Sequence, residues 1–453
     1  MRHVKRSTCS AVAAVMAGSG LFGAAAAQAA DVRMDGVWRT DGYGTILRIA
    51  GSTVETYDTT AVSCIRDTLS DDDGEVSTFT PGPGPSRARW HIDANLGDRT
   101  LIRLPALPAA CEHATPATPV ETFDVFWRTF AENYPFFAQR GIDWQQVYDT
   151  YRPQVTATTT NAQLRDILAA MIRPLHDAHV GLRGDGVSIY EQRPGTPSPS
   201  PDFDAQALAL IQQADLPKTP ASTLRTWCQG HVAYADLPGH IGYLRISEFA
   251  RYTDADTYAA NAAAFTTALD AVFTADRTAG PHRLQGLILD LRVNGGGDDP
   301  LGLILASRLT DRPFFAYAKQ TRDDPTHPNR FTPPQPFLAH PSTTPHYTGP
   351  LAILTSGATF SAAETTTQAL LNRTPRPTLI GENSQGVFSD ILTRRLPNGW
   401  VFGLPNEEYL TPSGSTYDIA GIPPDIRVPT LTPEQFTEGR DPAFRAALRA
   451  LGR

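Results

Sequence analysis

Chemistry in this sequence centres on Ser361, in the run Thr355-Ser356-Gly357-Ala358-Thr359-Phe360-Ser361-Ala362-Ala363-Glu364. An apolar stretch, Leu351-Ala352-Ile353-Leu354, precedes it and reads as a buried strand, and good helix formers follow. A serine at a strand-to-helix junction lies where unpaired backbone N–H groups and the helix dipole favour negative charge. Acyl transfer needs its nucleophile in such a place, because the oxyanion formed on attack requires N–H donors. The same letters allow a purely structural role. Ser361-x-x-Glu364 spells a capping box, with the serine capping the helix and Glu364 bonding back. This stretch alone favours capping, so the other motifs decide.

Two of those motifs could serve the same chemistry. In Leu175-His176-Asp177-Ala178-His179 an imidazole could act as general base, since it titrates nearest working pH. The histidines could equally be structural, or form an HxxH metal pair. No matching carboxylate or cysteine set accompanies them, and neither a metal nor another cofactor is expected. The second motif, Val293-Asn294-Gly295-Gly296-Gly297, follows the apolar run 287–292. Glycines at the C-terminal end of a strand leave N–H groups exposed and let a ligand come close. This run is not a G-x-G-x-x-G dinucleotide loop, and no Gly-Lys-Ser/Thr follows to make a phosphate loop. A tight turn without a ligand is the other reading.

An α/β alternation must position these residues. Runs 241–246, 287–292, 351–354 and 377–381 read as strands, with helices over 254–274, from the glycines through 309, and from 361 or 362 onward. Such alternation implies a parallel sheet, in a core spanning 233–453. Upstream, Phe123, Phe126, Trp127, Phe130, Tyr134 and Phe137 recur at spacings of three and four, one face of a helix. Trp144, Val147, Tyr148 and Tyr151 mark a second helix, and Leu164, Ile167, Leu168, Met171 and Ile172 a third, stopped by Pro174. These make a small helical bundle over 117–183. Residues 184–232, rich in Pro, Ser and Asp, read as an insertion or lid with one helical piece near 205–213. Residues 31–113 carry short β runs at 37–40, 45–49, 53–57 and 101–104, an N-terminal antiparallel barrel or sandwich. Near the end, 387–396 and 400–404 read as strands joined at Asn398-Gly399, and a weak helix covers 433–451.

The 453 residues allow two or three domains. Residues 1–30 have the pattern of a secretory signal peptide: Arg2, Lys5 and Arg6, an apolar middle, then Ala27-Gln28-Ala29. No later segment is apolar for long enough to span a bilayer. Losing three basic residues moves the formal charge from −8 to −11, and an acidic chain without a basic stripe argues against nucleic acid as partner. Export permits a disulfide, and Cys64 with Cys111 is the expected pair, both lying in the N-terminal region.

Taken in order, ENYPFF with GIDW, LHDAH, IGYLRI, LDLRVNGGG, TSGATFSAAE, GENSQG and GIPPDI resemble the S41 peptidases, over residues 120–428. That family comprises C-terminal-processing and tricorn-core-like serine peptidases of ClpP/crotonase-like fold. One branch activates its serine with a lysine some two dozen residues on; here Gly381-Glu382-Asn383-Ser384-Gln385-Gly386 has none, nor does any lysine follow Ser361. The tricorn-like branch uses a histidine after the helical segment, which His179 matches, with Ala178 where such enzymes can carry serine. An acidic residue precedes its Gly-Ile/Val-Pro element, and Asp418 falls there, as Asp in place of Glu. No PDZ-like segment lies between 183 and 233. The resemblance implies an exported serine peptidase acting on peptides or proteins. Ser361 would be nucleophile, His179 base and Asp418 the acid, with the N–H groups of Gly296 and Ala362 holding the oxyanion. A non-catalytic binder of apolar ligands, as in retinoid-binding relatives of this fold, and a small-substrate esterase or amidase are the alternatives. Substrate preference and oligomeric state are not encoded in any motif here.

Overall fold

The computed structural model describes residues 34–69, 76–217, 219, 223–327 and 329–452, so the signal peptide expected at 1–30 lies outside the described residues. The N-terminal region is one antiparallel sheet of β1 (Gly36–Thr40), β2 (Thr45–Ala50), β3 (Thr53–Thr60), β4 (Ser63–Arg66), β5 (Ser77–Pro81), β6 (Arg87–Ile92) and β7 (Asp98–Leu104). The strand order is β4-β3-β2-β1-β7-β6-β5. Where a barrel or sandwich was expected, the pairing forms a single sheet with β4 and β5 at its ends. Alternation gives it two faces: Trp38, Leu47, Trp90 and Leu101 pack in one cluster, and Ile46, Tyr57 and Cys64 in another. Cys64 is disulfide-bonded to Cys111.

Helices α1 (Pro119–Asn133), α2 (Trp144–Tyr151) and α3 (Asn161–Ile172) follow. Thr118 caps α1 with Pro119 at its first position, and α1 ends just before Pro135. Their buried faces meet each other and also Phe402 and Leu404 of a later hairpin, so the helices share one core with strands. Next come β8 (Gly181–Gly184), β9 (Val187–Tyr190), α4 (Pro201–Ala214), β10 (Arg225–Trp227), β11 (Val232–Leu237), β12 (Ile241–Ile246), α5 (Tyr258–Val272), α6 (Ala275–Thr278) and β13 (Gly286–Asp290). The chain continues through β14 (Val293–Asn294), α7 (Asp299–Ser307), β15 (Phe314–Thr321), β16 (Gln335–Ala339), β17 (Leu351–Thr355), β18 (Ala358–Thr359) and α8 (Ala362–Leu371). It closes with β19 (Thr378–Gly381), β20 (Ile391–Arg395), β21 (Val401–Pro405), β22 (Glu407–Leu410), β23 (Ile426–Arg427), α9 (Pro433–Glu438) and α10 (Pro442–Ala450).

The main sheet runs β10-β11-β12-β13-β17-β19-β23, parallel from β12 onward. Its central strands, such as Leu287-Ile288-Leu289, are buried on both faces, which is why they read as unbroken apolar runs. β14 pairs with β18 in parallel, so the glycine motif and the serine motif leave the sheet side by side. Arg292, buried just past β13, bonds Asp290 (2.7 Å) and Asp441 (2.6 Å), which ties the start of α10 beneath the glycine loop. Two expectations change. The single C-terminal helix is two, because Gly439 takes a left-handed φ of 62° and Pro442 opens a new helix. The strand expected at 387–396 begins only at Ile391, because the backbone before it is engaged by other groups, as follows. Among the described residues no helix is long and apolar enough to cross a membrane.

Candidate active site

Ser361 stands between β18 and α8 with φ 52° and ψ −120°. Other caps in this chain take the extended backbone a cap normally has: Thr118 (φ −81°, ψ 159°), Thr160 (φ −74°, ψ 159°) and Thr257 (φ −92°, ψ 149°). Capping does not call for the Ser361 geometry, which is a strained one for a residue with a side chain. Both halves of the capping box are nonetheless in place, the Ser361 side chain at the Glu364 N–H and the Glu364 carboxylate at the Ser361 N–H, although the first-turn N–H groups also have carbonyl partners. Ala363 N–H donates to Phe360 O (3.0 Å) and Glu364 N–H to Ser361 O (2.7 Å).

Glu364 helps to hold that geometry. Its carboxylate is buried on the first turn of α8 and accepts from the N–H groups of Ser361 (3.2 Å), Gly386 (2.7 Å) and Val387 (2.8 Å). Burial raises its pKa to about 7 against the pull of these bonds and of Ser384. Sequence reasoning saw Glu364 only as half of a capping box.

The glycine loop closes the other side. Gly296 has φ +92°, and a Cβ there would lie 2.5 Å from Ser361 Cβ, 3.1 Å from its Oγ and 3.2 Å from Ala362 N. Only glycine therefore leaves the space beside the hydroxyl and the Ala362 N–H open. The Gly296 N–H itself donates to Asn294 Oδ1 (2.8 Å), and its carbonyl accepts from Phe249 N–H (2.6 Å).

His179 is buried in the turn before β8. Its N–H donates to Asp177 Oδ1 (3.0 Å), and Asp177 is clamped by Arg140 (2.9 Å) and the Tyr134 hydroxyl (2.8 Å). Burial lowers the imidazole pKa, opposed by Asp177, the Ser389 backbone and Asp390. Its Nδ1 has no hydrogen-bond partner among the described residues. Asp418 is also buried: Oδ1 accepts from Phe388 N–H (3.2 Å) and Oδ2 from the Thr416 hydroxyl. Burial holds its carboxyl well above the usual range, and the Glu364 and Asp177 charges add to this against Thr416 and Phe388.

Val387, Phe388 and Ser389 thus meet all three groups in turn. Ser361 N–H donates to Val387 O (3.1 Å), Asp418 accepts from Phe388, and the His179 ring lies against Ser389. Ala178 packs on Phe360 and Val387, which brings the histidine turn up to the serine. Among the described residues no hydrogen bond yet joins Ser361 Oγ to His179, and none joins His179 to Asp418. No group of three or more metal-ligating side chains occurs among those residues.

Comparison with known proteins adds a second line. The family model for Peptidase family S41 matches residues 240–428, and that for the tricorn protease C1 domain matches 116–173. Residues 240–428 thus resemble peptidase family S41. A carboxy-terminal-processing protease of Bartonella bacilliformis is 30% identical over 200 residues, covering 44% of this chain and 41% of that one. The chloroplastic C-terminal processing peptidase of Tetradesmus obliquus is 27% identical over 266 residues, 56% of this chain and 49% of that one. The chain thus spans less than half the length of either curated relative. Among solved structures, a protein of Parabacteroides merdae described as a peptidase is 26% identical, with a TM-score of 0.61 over 74% of this chain and 97% of that one.

The structure also answers where an S41 chain without a lysine after its serine could find one. Lys319, the sole lysine among the described residues, is buried between Asp390 (3.2 Å) and Glu407 (3.2 Å). Burial alone would lower its pKa, but these two carboxylates hold it above the usual range, so it stays protonated and cannot serve as a base.

Proposed function

We propose that this chain is an exported serine peptidase that cleaves peptide bonds through an acyl-enzyme, on a ClpP/crotonase-like core of residues 233–453. Ser361 Oγ attacks the scissile carbonyl while His179 takes its proton, and charge gathers on the carbonyl oxygen beside the Ala362 N–H. Gly296 keeps that space open, and its own N–H joins the oxyanion site on release from Asn294. His179 then hands the proton to the leaving amine as the C–N bond breaks. Water, deprotonated by the same imidazole, attacks the ester carbon and frees the acid, and the proton returns to Ser361. Asp418 orients the acidic side of the site through Phe388, within the segment against which Ser361 and His179 both lie.

The observation that carries this reading is the Ser361 backbone, at φ 52° and ψ −120°. Strain of this kind on a strand-to-helix turn is what exposes a nucleophile, and the capping box that Ser361 also forms with Glu364 does not require it, since the other caps of this chain are extended. Export is supported by the signal-like run 1–30 and by the Cys64–Cys111 disulfide, which suits an oxidising compartment. The division into 31–113, 117–183, 184–232 and 233–453 belongs to the same reading. Its test is turnover of a fluorogenic peptide library by the purified chain and by Ser361→Ala. Loss of turnover in the variant, with an unchanged melting curve, supports the assignment; equal turnover removes it.

A further inference from the structure

Residues 191–200, inside the stretch whose composition reads as an insertion or lid, run along the candidate site. The Arg193 guanidinium donates to four main-chain carbonyls: Ser384 (2.8 Å), Asn383 (3.4 Å), Ala420 (2.8 Å) and Ile419 (3.5 Å). The first two belong to the loop that leads into Gly386, the other two to the turn that follows Asp418. A planar fork of N–H donors bridges two loops in this way, whereas a lysine ammonium is a single point. No carboxylate pairs with Arg193 among the described residues. Burial lowers its pKa, and the charges of Glu364 and Glu382 oppose this. Beyond Arg193 the segment passes the serine motif and then the glycine motif. A Cβ on Gly357 would lie 2.9 Å from Thr196 Cβ, and one on Gly295 would lie 3.8 Å from Pro199 Cγ.

Both bridged loops need holding. Ile419 has φ 73°, a true outlier for a β-branched residue. Such a backbone persists only where its surroundings over-determine it. Here the Ile419 N–H donates to Gly386 O (2.8 Å), and the Asn383 side chain joins Arg193 on the Ala420 carbonyl (2.9 Å). Asp418 stands immediately before this strained turn. On the other loop, the Gly386 N–H bonds Glu364, which in turn accepts from the Ser361 N–H. One guanidinium therefore ties the support of Asp418 to the support of the Ser361 backbone.

We propose that Arg193 is a positioning residue of the peptidase site, bridging 383–384 to 419–420 so that Ser361 and Asp418 are set for reaction. It touches no reacting atom. This role rests on the peptidase reading and deepens it, making the segment after β9 a fixed part of the site in place of a loose cover.

The experiment compares the full chain with Arg193→Ala and Arg193→Lys. It reads kcat and KM on a fluorogenic peptide, with and without millimolar methylguanidinium, and amide hydrogen exchange over 384–389 and 417–422. A displacement of about 1 Å lowers kcat about 10²-fold in Arg193→Ala and leaves KM little changed. Methylguanidinium restores part of that rate, Arg193→Lys restores little, and exchange at Gly386 and Ile419 quickens while β12 and β13 stay protected. A merely structural arginine would lower the melting temperature without changing kcat per folded molecule. Should Arg193→Ala fold poorly, Arg193→Lys carries the test. The proposal is overturned if either variant, folded, keeps the wild-type kcat, if the loss falls on KM alone, or if exchange in both loops is unchanged. A wild-type chain without turnover removes the peptidase reading and this role together, whereas an active wild type with an unaffected variant removes this role alone.

Discussion

Gly296→Ala probes whether the space beside Ser361 is built for a reacting atom. The added Cβ would lie 2.5 Å from Ser361 Cβ, on a backbone at φ +92°. Carbon atoms in contact stand about 3.5–4.0 Å apart, so the overlap is at least about 1 Å. Neither side retreats easily. Ser361 is bonded through its N–H to Val387, and Gly296 is bonded at both ends, to Asn294 and Phe249. The left-handed backbone costs an alanine about 1–3 kcal/mol. The overlap costs about 1–3 kcal/mol more if the loop holds its place. If the loop yields by about 1 Å instead, the rate falls by about 10²-fold. Gly399 supplies a matched control, with φ +88° and nothing within 4 Å of an added Cβ. Gly399→Ala therefore bears the backbone strain without the collision. Thermal melting and kcat/KM on a fluorogenic peptide read both variants. Gly296→Ala is expected to melt below Gly399→Ala, to turn over about 10²-fold slower, or both. A Gly296→Ala chain that melts with the control and cleaves at the wild-type rate refutes the reasoning.

Three further outcomes are expected. Burial lowers the His179 pKa from 6.5, so the neutral base persists as pH falls, and the acid limb of kcat/KM should lie below pH 6.5. Glu364 holds its proton to about pH 7 in the folded chain against 4.5 ordinarily. The native state then binds more protons across that window, so the Glu364 contribution to stability falls as pH rises through it. His179 adds the opposite slope below 6.5, since the unfolded imidazole protonates first. Urea unfolding at several pH values should find the falling component absent in Glu364→Gln. That variant should also turn over more slowly, because one amide oxygen cannot serve all three N–H groups, each stranded donor being worth about 1–3 kcal/mol. Reduction of Cys64–Cys111, which closes a sequence separation of 47, should cost about 4 kcal/mol on the chain-entropy account, read by urea unfolding with and without reductant.

Much of the main sheet was legible because two-sided burial writes itself as unbroken apolar letters, as in Leu287-Ile288-Leu289. The Asn398-Gly399 hairpin was equally plain, Gly399 taking its φ of +88° between β20 and β21. Strand β5 was not, because Ser77–Pro81 is almost wholly exposed and shows no apolar period. In β6 the alternation is present, with Ala88, Trp90 and Ile92 buried, but intervening arginines disguise it. At the site, residue types gave Ser361, His179 and Asp418, whereas their meeting at residues 387–389 depends on loops far apart in the chain. The backbone of Ser361 had no local signal at all. Glu364 helps to set it through Gly386 and Val387, more than twenty positions on. The commitment of the Gly296 N–H to Asn294 was likewise invisible, since any of three glycines fits the motif.

Covalent labelling tests the central claim most directly: a fluorophosphonate added to the folded chain, with the modified residue located by mass spectrometry. The account expects one adduct, on Ser361, formed at a rate that falls with protonation of a group below pH 6.5 and lost in His179→Ala. An adduct on another serine, or labelling of Ser361 that is indifferent to His179, would contradict it.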